Sequence, residues 1–225
     1  MKIVRLKGGL GNQMFQYAFA KLLEQLTGEE IRVDYSAYQT LGNDMVRVPR
    51  LKKYNLSILE ADASEIERIC IWKHQGNPFS YRYKMGILME EFFNRNYYRE
   101  HTRAYVVPGK LVRYSYFDGY WQSYRYVDAV MDILKKEFTP NYGLSERTKN
   151  KKEEMESQNS VFIGVRKGDY SLEAAHWGSF GAGYYQKAME YISGRVDTPV
   201  FYVFSNDVEW CKGNLDWGRF QVQFR

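Results

Sequence analysis

A glycine-rich segment near the amino terminus, Lys7-Gly-Gly-Leu-Gly-Asn-Gln13, contains the residue types of an anion-binding turn. Glycines such as Gly9 and Gly11 let backbone N–H groups approach an anion, and a helix that begins there favours negative charge. Asn12 and Gln13 would add side-chain donors to phosphate or sugar hydroxyls. The segment has neither the Gly-Lys-Ser/Thr of a P-loop nor the spacing of GxGxxG. A tight turn with a helix cap is the other interpretation, and both stay open.

A cationic tetrapeptide, Arg166-Lys167-Gly168-Asp169, follows the apolar run Val161–Val165. Open α/β sheets bind ligands at the carboxyl ends of their strands. Arg166 and Lys167 could clamp a diphosphate there, since arginine offers a bidentate fork, and Asp169 could hold Arg166 by a charge-assisted hydrogen bond. A solvated charge cluster on a turn is the alternative.

The polar triplet Ser205-Asn206-Asp207 follows the next apolar run, Val200–Phe204. Considered alone, Ser205, Asn206 and Asp207 form a good N-cap signal for a short helix. Two polar strand ends in one lobe, one of them cationic, fit a nucleotide-diphosphate site better than either does alone. We therefore expect both ends to contact a nucleotide diphosphate.

The remaining residues of catalytic or metal-binding type do not form a recognisable sequence motif. No DxD, HExxH or G-x-S-x-G is present, and His74, His101 and His176 are each isolated. Cys70 and Cys211 lie far apart and outside any CxxC, which favours reduced structural thiols. We expect no metal and no cofactor.

The apolar patterns predict the elements that would position these residues. A strand, a helix that Gly28 ends and a second strand open the chain in βαβ order, and a later strand–helix–strand run repeats the α/β alternation. The predicted strands are 2–6, 31–34, 161–165 and 200–204, and the predicted helices are 14–26, 127–138 and 185–192. Residues 55–70 are partly helical by pattern, and residues 71–105 are aromatic without clear periodicity.

Length and composition limit the classes of protein to which the chain can belong. The 225 residues predict two lobes, 1–140 and 159–225, joined by a charged linker or surface helix at 141–158. The net charge of +5 occurs without a Lys/Arg run, so a nucleic-acid partner is not expected. No window is apolar enough for a membrane span, and the charged first seven residues are unlike a secretory signal. We expect a cytoplasmic protein, with peripheral membrane association possible.

Five blocks of the sequence resemble the α-1,2-fucosyltransferases, the bacterial members especially. The first block is residues 7–18 and the second is Gly119-Tyr-Trp-Gln-Ser-x-x-Tyr126. The third block, 161–170, is similar to the family's His-x-Arg-Arg-Gly-Asp-Tyr segment. Tyr184-Tyr185 with Lys187-Ala188, and Phe204–Asp207 with Trp210, follow in the expected order.

The resemblance implies a GT-B-type glycosyltransferase with two Rossmann-like lobes, which transfers L-fucose from GDP-fucose with inversion and without metal. The acceptor would be the 2-hydroxyl of a terminal sugar, galactose by preference, in a glycan. Arg166 corresponds to the arginine that neutralises the donor diphosphate, and Asp169 supports that segment. Asn12 and its glycines correspond to a loop that reaches toward the donor, opposite Arg166. The resemblance does not identify the general base.

Three positions depart from the family pattern, and the chain ends early relative to it. Gly164 stands where the family has His, Lys167 replaces a second Arg, and Asn206-Asp207 replaces Asp-Asp. Relatives continue beyond residue 225, so the donor lobe is expected to be incomplete, with apolar sheet faces uncovered. A non-catalytic remnant with weak or absent donor binding is therefore the alternative function.

Overall fold

The computed structural model describes residues 1–38, 48–72, 80–102, 104–166 and 181–224. By internal contacts the chain divides into a first unit, Met1–Gly143, and a second unit, Leu144–Arg225. Each unit is built on a parallel sheet, in agreement with the α/β class expected from the sequence. The assignment of an acceptor lobe and a donor lobe stays a prediction.

The first unit contains a five-stranded parallel sheet in the order β3-β2-β1-β5-β4. Its strands are β1 (Lys2–Arg5), β2 (Ile31–Asp34), β3 (Leu59–Glu60), β4 (Tyr97–Arg99) and β5 (Tyr116–Asp118). Its helices are α1 (Leu10–Thr27), α2 (Ala63–Ile69), α3 (Tyr81–Phe93), α4 (Tyr124–Asp128) and α5 (Met131–Glu137).

Alternation along β1 separates the two faces of this sheet, because successive strand residues point to opposite sides. Val4 and Leu6 pack into a large apolar cluster with α1, in which Phe19 and Trp121 stack at 3.9 Å. Ile3 packs into a second cluster with residues of α2, β4 and β5. Both faces of the central strand are therefore covered, as a parallel sheet requires.

Helix α1 begins four residues before the predicted start at residue 14, and it ends at Gly28, as predicted. Gly28 has φ 65°, a left-handed conformation in which its N–H donates to the Glu24 carbonyl, so glycine is the favoured residue there. The predicted single helix 127–138 is instead two short helices, because Val130 leaves helical geometry at ψ 17°. Helix α3 and strand β4 occupy the range that showed no periodicity.

The second unit contains a three-stranded parallel sheet in the order β6-β7-β8. The strands are β6 (Ser160–Val165), β7 (Val200–Ser205) and β8 (Gln221–Phe224), and the helices are α6 (Glu146–Glu156), α7 (Ala182–Ser193) and α8 (Val208–Asn214). Strand β7 is buried over its first four residues, whereas β6 is half exposed, in contrast to the buried strand predicted for it.

Helix α6 falls in the range 141–158 that was predicted as a linker or a surface helix. It packs on the second sheet through Glu154, which accepts from the Tyr202 hydroxyl at 3.0 Å, and through Lys151, which donates to Gln223 at 3.2 Å. Within the described residues, none of the helices combines the length and apolar character needed to cross a bilayer.

Candidate active site

The glycine-rich segment forms the turn between β1 and α1, and the helix begins inside the motif. Gly8 has φ 81°, which favours glycine, and a Cβ built on it would lie 2.4 Å from Asn12 Nδ2. Gly9 is the N-cap residue, and no side chain caps the helix there. Gly11 and Asn12 therefore lie in the first turn of α1, whereas the motif alone had suggested a loop.

Gly9 and Gly11 differ from Gly8 in what surrounds them. A Cβ built on either residue would have no heavy atom of the described residues within 4 Å, and neither residue has a positive φ. Neither backbone conformation nor packing against the described part of the chain explains glycine at these two positions. Glycine does leave the backbone N–H groups at the start of α1 accessible to a bound anion or hydroxyl.

Gln13 was predicted to bind the donor, and its contacts revise that role. Its side chain is fully buried, and its Nε2 donates to the carbonyls of Gly8 and Val48, both at 3.1 Å. Its Oε1 accepts from the Leu51 N–H at 3.0 Å. Both amide hydrogens and the carbonyl oxygen thus bind backbone, so Gln13 fixes the turn and has no donor left for a ligand.

Asn12 is half-buried, and a neighbouring segment orients its amide. Its Oδ1 accepts from Gln122 Nε2 at 2.7 Å. The Nδ2 group lies on the other side, beside the position that a Gly8 Cβ would take. The structure therefore brings together the first and second sequence blocks of the fucosyltransferase resemblance, which are 110 residues apart.

The second block turns sharply just after β5. Trp121 has φ 54°, a left-handed conformation that is unfavourable for a large side chain. Glu100 holds the turn, because its Oε2 accepts from the N–H groups of Tyr120 at 2.6 Å and Trp121 at 3.1 Å. This strained turn places Gln122 against Asn12. Strain of this kind is typical of functional segments.

A buried charged group lies at the carboxyl ends of β1 and β5. Asp118 accepts from Lys7 Nζ at 2.5 Å, from Arg5 Nη1 at 3.3 Å and from the Tyr97 hydroxyl at 3.0 Å. Burial by itself lowers the pKa of Arg5, but the charge of Asp118 and further anionic neighbours outweighs burial and raises that pKa. Arg5 therefore stays charged, and it is compensated within the protein.

Lys7 is the member of this group that reaches the surface. Its side chain is 26% exposed, and its Nζ lies 4.8 Å from the centre of the Tyr120 ring as well as on Asp118. The sequence interpretation used Lys7 only as the first residue of a motif. A lysine directly after a predicted strand and directly before the glycines was the signal that could have marked it as a site residue.

In the second unit, strand pairing brings two predicted donor-binding residues together. Val165 of β6 pairs with Ser205 of β7, so Arg166 and Asn206 follow neighbouring strands at the same sheet edge. Both residues are exposed. This edge is the carboxyl edge that the sequence predicted for a diphosphate.

Ser205 and Asp207 make helix-cap contacts. Asp207 is the N-cap of α8, where its Oδ1 accepts from the Trp210 N–H at 2.9 Å, and Ser205 Oγ accepts from the Asp207 N–H at 3.0 Å. The cap interpretation of this triplet is therefore confirmed. Donor binding by the triplet stays a prediction.

Gly164 replaces the family histidine, and its neighbour occupies the space. A Cβ built at Gly164 would lie 3.1 Å from Cε1 of Phe162, whose ring also lies 5.2 Å from that of Phe204. A larger residue at 164 would require Phe162 to move. Phe162 is 68% exposed.

Several predicted positions lie outside the described residues. These are Lys167, Gly168 and Asp169, together with His74 and His176. Among the residues that are described, no three His, Cys, Asp or Glu side chains cluster in a way that could hold a metal.

A cavity of about 490 Å³ opens at the other end of the second sheet. Its lining includes Asn159, Val200 and Gln221, at the amino ends of the strands. The six residues of β6 separate it from Arg166, so this cavity contains none of the predicted site residues.

Comparison with known proteins identifies the family. Residues 1–225 match the model of glycosyl transferase family 11. An alpha-1,2-colitosyltransferase of Escherichia coli is 31% identical over 93% of this chain and 70% of its own length. The galactoside 2-alpha-L-fucosyltransferase Sec1 of Mus musculus is 29% identical over 100% of this chain and 54% of its own length. The O-antigen biosynthesis glycosyltransferase WbnK of Escherichia coli is 29% identical, with coverages of 93% and 74%.

The chain belongs to glycosyl transferase family 11, which confirms the resemblance drawn from its five sequence blocks. It spans about half the length of the mammalian relatives that it matches, and about 70% of the length of the colitosyltransferase. No solved structure matches the chain.

Proposed function

We propose that this chain is an inverting glycosyltransferase of the GT-B class that moves L-fucose from GDP-fucose to the 2-hydroxyl of a terminal galactose in a glycan. Membership of glycosyl transferase family 11 supports transfer of a sugar from a nucleotide donor. The galactoside fucosyltransferases among the relatives support the fucose donor and the galactose acceptor.

Exposed Arg166 at the carboxyl edge of β6 is the observation on which this proposal rests. In the reaction the acceptor oxygen forms a bond to the anomeric carbon while the bond from that carbon to the β-phosphate oxygen breaks. Negative charge therefore grows on the leaving GDP, and a guanidinium already in place stabilises it more in the transition state than in the ground state. Arg166 has this role, and neighbouring Asn206 contributes an amide at the same edge.

The start of α1, in the first unit, carries further hydrogen-bond donors. The N–H groups left accessible by Gly9 and Gly11, together with Asn12 Nδ2, are donors suited to phosphate or sugar oxygens. Gln13 is not part of this set, since its amide is bound to backbone. Lys7, held on Asp118, adds a cation at the beginning of the same turn.

Transfer of labelled fucose from GDP-fucose to lactose tests the proposal, with EDTA present because we propose no metal. Arg166→Ala is expected to lower kcat/KM about 10²–10³-fold, the usual cost of losing one preorganised donor to a developing charge. Arg195→Ala removes another arginine of the second unit and is the matched control, expected to retain activity. Normal transfer by Arg166→Ala would contradict the assignment. A wild-type chain without transfer and without GDP binding would support the remnant alternative.

Colitose is a second candidate for the donor sugar, because one relative is named a colitosyltransferase. Colitose and fucose are both deoxysugars, and Arg166 would contact the diphosphate of either donor. Parallel assays with the two sugar nucleotides decide between them by the ratio of their kcat/KM values.

A further inference from the structure

Helix α3 carries apolar residues on the face that points away from the protein. Tyr81, Met85, Leu88 and Phe92 are spaced at i, i+4, i+7 and i+11, so they form one stripe along the helix. Their exposed fractions range from 36% to 76%. A surface helix normally presents polar residues on the side opposite the core, so this stripe needs an explanation.

The opposite side of α3 faces the protein interior. Gly86, Ile87 and Glu90 are its buried residues. At 100° per residue they lie roughly across the helix from the apolar stripe. The stripe is therefore a second apolar surface of α3, separate from the one that stabilises the fold.

Further apolar side chains are exposed at the end of α3 and in the segment that precedes it. Phe93 is 69% exposed at its carboxyl end. Ile71 and Trp72 are also exposed, and the Trp72 N–H donates to the Glu90 carboxylate, which fixes that segment against α3. The surface is therefore rich in aromatic side chains, namely those of Trp72, Tyr81, Phe92 and Phe93. Aromatic residues of these types are common where a protein surface contacts the interface between headgroups and acyl chains.

The charges beside the stripe are positive. Arg82 and Lys84 are exposed and flank it on opposite sides, and exposed Arg95 follows the helix. The two acidic residues of α3 do not oppose them: Glu90 is buried, and Glu91 lies 2.5 Å from His101 and 3.5 Å from Arg99. Apolar and aromatic residues bordered by cations complement an anionic bilayer surface.

We propose that the outer face of α3, with Ile71 and Trp72, docks the protein on an anionic phospholipid membrane. The apolar stripe enters the headgroup region, and Arg82, Lys84 and Arg95 contact lipid phosphates. Docking of this kind requires no transmembrane helix. It does not depend on the proposed sugar transfer, and its assay contains no sugar nucleotide, so the two proposals can fail separately.

Sedimentation of the 225-residue chain with lipid vesicles tests this. We expect binding to mixed phosphatidylglycerol–phosphatidylcholine vesicles and little binding to pure phosphatidylcholine. Leu88→Asp with Phe92→Asp should lower the partition coefficient at least about tenfold, because both side chains leave the apolar phase. Arg82→Glu with Lys84→Glu should do the same at low salt, where screening is weak.

Tyr191→Asp is the matched control, since Tyr191 is an exposed helical aromatic beside Arg195 in the second unit. Circular dichroism establishes that each variant is folded, and the charge reversals change only exposed residues. Wild-type protein that stays in solution, variants that bind as well as wild type, or equal binding to neutral vesicles would overturn the proposal. A solution dimer that Phe92→Asp dissociates, without vesicle binding, would assign the surface to a second copy of the chain instead.

Discussion

Asn12 is a predicted site residue whose orientation the structure ties to a specific partner. Gln122 Nε2 donates to its Oδ1 at 2.7 Å, so the Asn12 amide presents Nδ2, a donor, on the side of Gly8. A donor suits phosphate and sugar oxygens, whereas the amide oxygen would repel a phosphate. Gln122 thus orients the Asn12 amide, and it directly follows the strained turn at Trp121.

Gln122→Glu tests this orientation, because glutamate has the same shape but only accepts hydrogen bonds at neutral pH. Asn12 is then expected to turn its Nδ2 toward residue 122 and its Oδ1 toward the substrate. We expect kcat/KM for GDP-fucose to fall about tenfold or more, with an unchanged free energy of unfolding because residue 122 is exposed. Gln122→Ala, which leaves Asn12 able to turn either way, should cause a smaller loss. Full activity of Gln122→Glu would show that Asn12 does not act through Nδ2.

The sequence identified the motif of Asn12 but not the separate roles of its residues. Gln13 and Asn12 are adjacent polar residues in a glycine-rich segment, and the sequence predicted ligand binding for both. Their contacts in the structure differ because α1 begins at Leu10. Gln13 therefore points inward and donates to the Gly8 and Val48 carbonyls. The Asp118 group was missed for a related reason. Its members come from three separate strands and from the segment just after β1, and only sheet pairing brings them together.

Secondary-structure elements with one clear periodicity were predicted well. Strand β2 has the predicted bounds, and α1 ends at the predicted glycine. Helix α3 was missed because its apolar residues lie on two opposite faces, so the sequence shows no single stripe. Strand β4 was missed because three residues are too few for a pattern. The break between α4 and α5 lies in the backbone dihedral angles at Val130, which side-chain periodicity does not report.

The start of α1 gives a paired test of why its glycines are present. Gly11→Ala adds a methyl group to open space in a helix, so the free energy of unfolding should stay equal or rise by up to about 1 kcal/mol. The same methyl should raise KM for GDP-fucose if the donor lies on this surface. Gly8→Ala should instead lower the free energy of unfolding by about 1–2 kcal/mol or more, because φ 81° is strained for alanine and its Cβ would meet Asn12.

Urea unfolding and steady-state kinetics on the same two variants distinguish these effects. Gly8→Ala is the control for a glycine that the backbone itself requires. If Gly11→Ala leaves both stability and the KM for donor and acceptor unchanged, the amino terminus of α1 has no part in substrate binding. If it lowers stability as strongly as Gly8→Ala, its glycine is structural.

The whole chain combines two units with different degrees of burial. In the first unit the central strand is covered on both faces, by the Val4–Leu6 cluster and the Ile3 cluster. Among the described residues of the second unit, the buried cluster is small and centres on Val203 and Cys211, while Phe162 is exposed on β6. Apolar burial is the main stabilising contribution in folding, so the second unit is expected to be the less stable one.

Calorimetry of the full chain should therefore show two thermal transitions, of which the lower belongs to the second unit. Leu215→Ala, at a buried leucine of that unit, is expected to lower only the first Tm, by several degrees, because deletion of a buried leucine side chain costs about 2–5 kcal/mol. Leu23→Ala, at a fully buried leucine of α1, should lower only the second Tm. Leu26→Ala on the same helix, where the side chain is 52% exposed, should change neither Tm appreciably. A single transition that Leu215→Ala and Leu23→Ala lower equally would mean that the two sheets unfold as one cooperative body, and the difference in burial between them would then have no thermodynamic consequence.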